Sequence, residues 1–201
     1  MPSMLSYNSF SLRSYIWKLL LAGVLLLAWP AAQASMPVAV SANPLPSKLL
    51  ASGTAAPVFQ LKNTDDVVCT FPVAGQWNVI FYWSLFCHSC LEEIPEAQHR
   101  LSSMSDVKAF FVALDTAKMQ KALQNFCKRR DLKLPVLMEE VASDTWVTAD
   151  RWGVVSTPAV FIVAPDGKVA YSHEGPTDLD QFFAGFAALQ ASASATLQPA
   201  R

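Results

Sequence analysis

The sequence contains few of the residues that bind metals or nucleic acids. It has only 3 histidines and 4 cysteines among 201 residues, and its 15 basic residues are nearly balanced by 16 acidic ones. Such a chain carries no basic patch for nucleic acid, so no nucleic-acid partner is expected. A closed zinc site needs four ligands in paired spacing, and Cys69, Cys127, His99 and His173 are not paired in that way. No metal or cofactor is predicted, and there is no internal repeat.

The first 34 residues have the pattern of a secretory signal. Arg13 and Lys18 supply the positive region, residues 16–29 the apolar core, and Ala32-Gln33-Ala34 the small-x-small cleavage pattern. Cleavage after Ala34 is expected. The alternative is an uncleaved anchor, although the apolar run is shorter than the roughly 20 residues of a membrane-spanning helix. Either way the folded part is exported, and a periplasmic location, where disulfides are stable, is predicted.

The rest of the chain divides into a linker, one domain and a tail. Residues 35–52 are rich in Pro, Ala and Ser and lack a sustained apolar period, which is typical of a linker. Residues 53–189 have the length of one domain with a single core. Residues 190–201, which include the run Ala-Ser-Ala-Ser-Ala, are predicted to form a flexible tail.

The most informative segment is residues 79–95, where a strand-like apolar run leads through Cys87-His-Ser-Cys90 into a helix-like run. Positions three apart share a helical face, so Cys87 would lie at the first turn with Cys90 beneath it. The unpaired N–H groups of that turn and the positive end of the helix dipole favour a thiolate. Cys87 is therefore the predicted nucleophile, and Cys90 the thiol that resolves a mixed disulfide. Half of a zinc site and a purely structural disulfide are the alternatives.

Hydrophobic periodicity predicts an alternating α/β chain that begins with a hairpin around a polar turn. The predicted elements are strands at 58–61, 67–71 and 77–83, a helix at 88–103, a strand at 108–114, helices at 117–130 and 143–152, strands at 159–163 and 168–172, and a helix at 178–189. The apolar run at 134–138 is too short to assign. This order predicts a mixed central β-sheet with helices on both faces.

Two separated motifs carry a family resemblance. The first is Phe81-Tyr-Trp-Ser-Leu-Phe-Cys-His-Ser-Cys90, followed by Glu93 and Pro95. The second is Trp152-Gly-Val-Val-Ser-Thr-Pro158, followed by Phe161-Ile-Val-Ala-Pro-Asp-Gly-Lys-Val169. Together they resemble the thioredoxin superfamily, and within it the TlpA/ResA-like branch of exported thiol-disulfide oxidoreductases. The resemblance covers residues 53–189 and implies a thioredoxin-like α/β fold with an N-terminal β-hairpin extension.

The resemblance also implies roles for residues outside the cysteine pair. It places Thr157 and a cis Pro158 opposite Cys87, with the backbone of Thr157 free to pair with an extended segment of a partner protein. Glu93 is the acid typical of this branch and would accept the proton of Cys90, although a merely solvated Glu93 stays open.

Besides Glu93, the chain departs from family patterns in three places. Phe81 stands where thioredoxin has a buried acid. Phe86 replaces the usual Trp, which keeps a flat apolar docking surface but loses the indole donor. His88-Ser89 replaces the Gly-Pro of thioredoxin. A protonated His88 would favour the Cys87 thiolate and raise the reduction potential, and an exposed His88 that only shapes partner choice is equally compatible.

Cys69 and Cys127 both lie in apolar contexts, one at the end of a strand and one on the inward face of a helix. Buried free thiols are expected there. A second disulfide between them stays open, because the sequence does not show how closely their Cα atoms approach.

These features predict a periplasmic thiol-disulfide oxidoreductase whose partners are protein thiols and disulfides. The resemblance favours a reductant of the cytochrome c maturation type, supplied with electrons by a membrane thiol reductase. The alternatives are a disulfide-forming oxidant or isomerase, to which His88 points, and a copper-binding chaperone. A peroxidase of the peroxiredoxin kind is disfavoured, because Ile80 stands where that motif has proline. Contact with the membrane is expected only if the signal segment is uncleaved.

Overall fold

The computed structural model describes residues 49–196 of the chain. The predicted signal segment, most of the predicted linker and residues 197–201 lie outside the described residues. Among residues 49–196, none of the helices combines the length and the apolar character that a membrane crossing requires.

The described elements alternate between strands and helices, as the periodicity predicted. In chain order they are β1 (Phe59–Lys62), β2 (Val68–Phe71), β3 (Trp77–Trp83), α1 (His88–Ser102), β4 (Val107–Ala113), a 3-10 turn (Ala117–Met119), α2 (Gln120–Arg129), β5 (Val136–Met138), β6 (Val141–Ala142), β7 (Thr145–Trp146), α3 (Ala149–Trp152), β8 (Ala159–Val163), β9 (Val169–Glu174) and α4 (Leu179–Thr196).

The main sheet has five strands in the order β5-β4-β3-β8-β9. Strands β3, β4 and β5 are parallel to one another, whereas β8 runs antiparallel to β3 and β9 antiparallel to β8. Parallel neighbours need a crossover connection, and α1 and α2 supply the two that are required. Both crossovers lead across the sheet in the direction from β3 to β5. Because crossover connections have the same hand, α1 and α2 lie on the same face of the sheet. The predicted mixed sheet is confirmed.

Alternate residues of β3 face two separate cores. Val79, Phe81 and Trp83 pack with α1, α2 and α4 on one face of the sheet. Ile80 and Tyr82 pack with the β1–β2 hairpin and α3 on the other. All five side chains are fully buried, which explains why the strand is continuously apolar from Val79 to Trp83 instead of alternating with polar residues. The prediction of helices on both faces is confirmed.

The predicted N-terminal hairpin is also confirmed. Strands β1 and β2 pair antiparallel, with Phe59 opposite Phe71. The Asn63 side chain accepts hydrogen bonds from the N–H groups of Asp65 and Val67, both at 2.9 Å, and so closes the turn. Leu61 and Phe71 bury their side chains in the second core, which fixes the hairpin to the sheet.

The helix predicted over 143–152 is wrong in its first half. Residues 141–146 form the small β6–β7 hairpin, and its turn residues Ser143 and Asp144 have left-handed φ values of 51° and 64°. Asp near the beginning of a segment is typical of a helix start, but Asp also tolerates the left-handed conformation of a tight turn, as Asp144 shows. Only Ala149–Trp152 is helical, and Gly153 ends it with φ 74°.

The predicted tail differs from the structure in its first residues, because α4 continues to Thr196. Alanine is the strongest helix former, and it alternates with serine here. The hydroxyls of Ser192 and Ser194 donate to the carbonyls of Ala188 and Gln190, one turn earlier, at 2.7 and 2.9 Å. These bonds satisfy the serine hydroxyls within the helix. The rest of the predicted tail, 197–201, lies outside the described residues.

Phe81, at the position of thioredoxin's buried acid, is integral to the first core. Its ring stacks on Phe111 with centroids 5.3 Å apart and meets Phe182 edge-on at 5.8 Å. We expect Phe81→Ala to lower the free energy of unfolding by about 3–5 kcal/mol, since it leaves a cavity among packed rings. Phe86→Ala, the same change on a side chain that is 80% exposed, should stay within about 0.5 kcal/mol. Urea unfolding of both variants checks this, and similar losses would contradict the packing assigned to Phe81.

Candidate functional site

The cysteine pair lies at the junction between β3 and α1. Cys87 is the residue that caps the N-terminus of α1, with extended φ and ψ of −94° and 109°. Its Sγ accepts a hydrogen bond from the N–H of Cys90 at 3.3 Å, and the Ser89 hydroxyl lies 3.6 Å from the same sulfur. A first-turn N–H that has no main-chain acceptor therefore donates to the sulfur. This arrangement stabilises a thiolate after reduction. The predicted position of Cys87 is confirmed.

Cys87 and Cys90 are joined by a disulfide, with Cα atoms 5.3 Å apart. The two sulfurs differ in accessibility. Cys90 is completely buried in the first core, whereas Cys87 is half-buried at its rim. A partner molecule can therefore reach the sulfur of Cys87 and cannot reach that of Cys90.

An open depression of about 630 Å³ lies beside the disulfide. It brings together four of the predicted site residues, namely Phe86, Cys87, His88 and Thr157, with Ser84, Ser89 and Ser156 completing the lining. The Phe86 side chain is 80% exposed. The depression thus has one wall that carries the reactive sulfur and a second wall formed by the residues around Thr157.

The second wall is formed by residues 155–158, named the docking segment because the resemblance predicts that it binds partners. Its Thr157–Pro158 peptide bond is cis, as the resemblance implied. Pro158 is buried, while Val155 and Ser156 are exposed. Thr157 is half-buried and lines the depression with its neighbour Ser156.

His88 is the first residue of α1, and its side chain is 92% exposed. Its Nε2 lies 3.5 Å from Oε1 of Glu92, one turn further along the helix. His88 therefore has an acidic partner on its own helix. Its exposure favours the hypothesis that it contacts the partner protein.

Glu93 lies one turn beyond Cys90 on α1 and faces the segment between β9 and α4. Burial raises the pKa of its carboxyl group, and Thr177 and the charge of His173 offset part of that rise. Within residues 49–196, Oε2 of Glu93 is buried without a hydrogen-bond partner. Burial therefore favours the protonated form of this carboxyl group, and one of its oxygens has no donor among the described residues.

Asp115 also belongs to the site, although it was not predicted from the sequence. It is only 2% exposed, and its two carboxylate oxygens accept from the Ser84 hydroxyl at 3.1 Å and from the Leu85 N–H at 3.0 Å. Burial raises the pKa of this carboxyl group, while the two hydrogen bonds act against the rise. Asp115 thereby fixes the turn that carries Cys87. The sequence did contain an indication of this contact. Asp115 follows β4, and in a parallel pair the carboxyl end of β4 lies beside that of β3, which leads to Cys87.

Glu174 was missed as well. Its Oε1 accepts from the N–H groups of Val155 and Ser156 at 2.9 and 2.7 Å, so it holds the docking segment. Nothing in the local sequence indicated this, since Glu174 lies 18 residues from Ser156 and the contact depends on the register of the sheet.

The other two cysteines are free thiols in this structure. Cys69 and Cys127 are both half-buried, and burial raises the pKa of each thiol. Among the described residues, no group of three or more His, Cys, Asp or Glu side chains is arranged to hold a metal ion.

Comparison with known proteins identifies the family. Residues 52–172 match the AhpC/TSA family, and the chain belongs to it. The chain is 27% identical over 107 residues to the thiol-disulfide oxidoreductase ResA of Bacillus thuringiensis, an alignment that covers 53% of this chain and 60% of that protein. It is 21% identical over 127 residues to the sporulation thiol-disulfide oxidoreductase A of Bacillus subtilis, covering 62% and 74% of the two chains. The resemblance to the ResA-like branch is confirmed.

Solved structures confirm the thioredoxin-like fold. The chain superimposes on StoA from Bacillus subtilis with a TM-score of 0.53 and 22% identity, covering 63% of this chain and 93% of that one. A putative thiol:disulfide interchange protein DsbE from Chlorobium tepidum gives a TM-score of 0.57 and 21% identity, covering 71% and 98%. A peroxiredoxin-like protein from Aquifex aeolicus gives 0.54 and 23%, covering 64% and 78%. At these identities the likeness concerns the fold alone.

The raised pKa of Glu93 predicts how stability depends on pH. A carboxyl group with a higher pKa in the folded than in the unfolded chain binds more protons when folded, so its ionisation weakens the fold as pH rises through and above roughly 4.3, the usual value for Glu. We expect Glu93→Gln to remove this loss, so the variant gains stability over the natural chain as pH rises from 4 to 8.

Urea unfolding at several pH values measures the gain. Glu92→Gln, which removes an equal charge from the exposed side of the same helix, serves as the control. Identical pH profiles for the two variants would show that burial of the Glu93 carboxyl group has no energetic effect.

Proposed function

We propose that the chain is an exported thiol-disulfide oxidoreductase that exchanges disulfides with protein partners through Cys87 and Cys90. The observation that carries the proposal is the unequal accessibility of one disulfide. Cys87 faces an open depression at the start of a helix, and Cys90 is buried behind it. The ResA and sporulation relatives, both named as thiol-disulfide oxidoreductases, support the same activity. The signal pattern of residues 1–34 supports export to the periplasm.

In the reducing direction, the Cys87 thiolate attacks a disulfide of the partner. One partner sulfur becomes bonded to Cys87, and the other leaves as a thiolate. Cys90 then loses its proton and attacks the Cys87 sulfur. This second step breaks the bond to the partner, releases its second thiolate and forms the Cys87–Cys90 disulfide. The partner gains two electrons, and the chain is left in the oxidised state that the structure shows.

Glu93 is the proposed acceptor of the Cys90 proton. It lies one turn from Cys90 on the same helix, its pKa is raised by burial, and one of its oxygens lacks a hydrogen-bond donor within the described chain. A general base is most effective when its pKa lies near the working pH, and burial moves a carboxyl group in that direction. In the reverse reaction the same group returns the proton.

Partner docking is proposed for the rim of the depression. Phe86 offers an exposed apolar surface beside Cys87, and Thr157 offers main-chain groups on the opposite wall. An extended segment of a partner can pair with such an edge while its disulfide reaches the sulfur of Cys87. His88, exposed at the same rim, would contribute to partner choice.

The proposal is tested by trapping. Cys90→Ala leaves the attack by Cys87 intact and removes the resolving step, so mixed disulfides with natural partners should accumulate in the periplasm and disappear on reduction. Cys87→Ala should give none. This control retains Cys69 and Cys127, so any complexes formed through those thiols would remain in it. An exported and folded Cys90→Ala chain that traps no partner would contradict the proposed function.

The direction of electron flow is proposed to be reductive, as for a cytochrome c maturation protein recharged by a membrane thiol reductase. We expect a reduction potential for the Cys87–Cys90 pair nearer to the about −270 mV of thioredoxin than to the about −120 mV of DsbA. Equilibration with thiol buffers of known potential measures it. A potential near the DsbA value would assign the chain to the oxidant or isomerase direction. Apocytochromes among the trapped partners would support the reductant.

A further inference from the structure

The docking segment is held by a carboxylate from another strand. Glu174 is the last residue of β9, and the antiparallel register places it opposite Ala159, the first residue of β8. Its Oε1 accepts from the N–H groups of Val155 and Ser156 at 2.9 and 2.7 Å. Hydrogen bonds to an ionised acceptor are roughly twice as strong as neutral ones. A single carboxylate oxygen therefore fixes both of the main-chain groups that lead into the exposed edge.

A main-chain bond completes the attachment on the other side. The N–H of Gly175 donates to the carbonyl of Pro158 at 2.8 Å. Thr157 lies between the two attachments, and within residues 49–196 its own N–H and C=O make no main-chain hydrogen bond. The unpaired main-chain groups of Thr157 therefore lie between residues that are held in place on both sides.

Side-chain packing contributes little to the order of the first two residues of the segment. Val155 is 56% exposed, and Ser156 is also exposed. The segment follows Gly153, whose φ of 74° allows the chain to leave the short helix α3. Without the Glu174 carboxylate, the N–H groups of Val155 and Ser156 would bond to water, and the segment could sample other conformations.

The geometry points to Glu174 as a positioning residue for polypeptide partners. It holds the docking segment so that the edge of Thr157 faces Cys87, and so favours disulfides within an extended chain over small disulfides. This inference rests on the proposed function. Asp115 has the corresponding task on the opposite wall, where it fixes Ser84 and Leu85 ahead of Cys87. Glu174 thus holds the docking segment, and Asp115 holds the turn before Cys87. A change at Glu174 should therefore affect partner recognition and leave the reactivity of Cys87 unchanged.

Two chromogenic probes distinguish these effects. Both are mixed disulfides of 2-nitro-5-thiobenzoate, one with free cysteine and one with a cysteine in the middle of an extended peptide. Attack by the Cys87 thiolate on the cysteine sulfur forms a disulfide between Cys87 and the probe and releases coloured 2-nitro-5-thiobenzoate, which is followed by absorbance. The rate constants are compared for the reduced natural chain and its variants.

The natural chain should react faster with the peptide probe than with the cysteine probe. Glu174→Ala should lower the peptide rate constant about tenfold, the factor expected for loss of a charge-assisted hydrogen bond. Its rate constant with the cysteine probe and its reduction potential should not change. Glu174→Gln keeps an acceptor oxygen at the same place without the charge, so it should lose less of the preference for the peptide than Glu174→Ala. Ala in place of the exposed Glu140 is the matched control and should behave as the natural chain.

Glu174→Asp keeps the charge but withdraws the oxygen by one methylene, and it should also lose the preference. It serves as the second variant if Glu174→Ala does not fold. Equal losses with both probes, or an unchanged preference in a folded Glu174→Ala or Glu174→Asp, would overturn the inference and leave the proposed function standing. A natural chain that reacts with neither probe faster than Cys87→Ala would remove the proposed function, and this inference with it.

Discussion

The pairing of β3 with β8 is the constraint on which the site depends. The two strands are antiparallel, and Tyr82 lies opposite Ala159. The chain that leaves β3 towards Cys87 and the chain that enters β8 from Pro158 are therefore brought to the same edge of the sheet. In the sequence, 70 residues, which form the elements from α1 to α3, lie between Cys87 and Pro158. Since β3 is buried on both faces, a slip of one residue would exchange the two cores, so the register is strongly determined.

Three carboxyl groups at this edge have different uses. Strand ends and helix starts leave main-chain N–H groups without partners, and Asp115 and Glu174 satisfy such groups on opposite walls of the depression. Glu93 is different, because one of its oxygens is buried and unbonded within the described chain. Two carboxylates are thus engaged in fixing the backbone, and the third retains capacity for a proton. This division explains how an edge with several acids can support both a fixed shape and acid–base chemistry.

Much of this was predictable where the relevant residues are close in sequence. Cys87 and Cys90 are three residues apart, so helix geometry alone relates them, and the apolar pattern of β3 indicated a fully covered strand. The placement of Thr157 opposite Cys87 was predicted only from the family resemblance. Asp115 and Glu174 act through contacts 30 and 18 residues apart, which depend on strand order and register that no local pattern states. The β6–β7 hairpin was misread because its Asp144 suits a helix start as well as a left-handed turn.

The packing of the first core agrees with Glu93 as the proposed proton acceptor. Phe81 occupies the position of thioredoxin's buried acid, but here it is stacked on Phe111 and surrounded by aromatic rings. A carboxylate at that position would have to be buried without a donor, which is costly. Glu93 lies instead on the helix that carries Cys90, where it faces Thr177 and keeps partial contact with solvent. The proposed proton exchange would thus take place on α1 and not in the interior of the sheet. Burial there is enough to raise the pKa of the acid and not enough to isolate it from water.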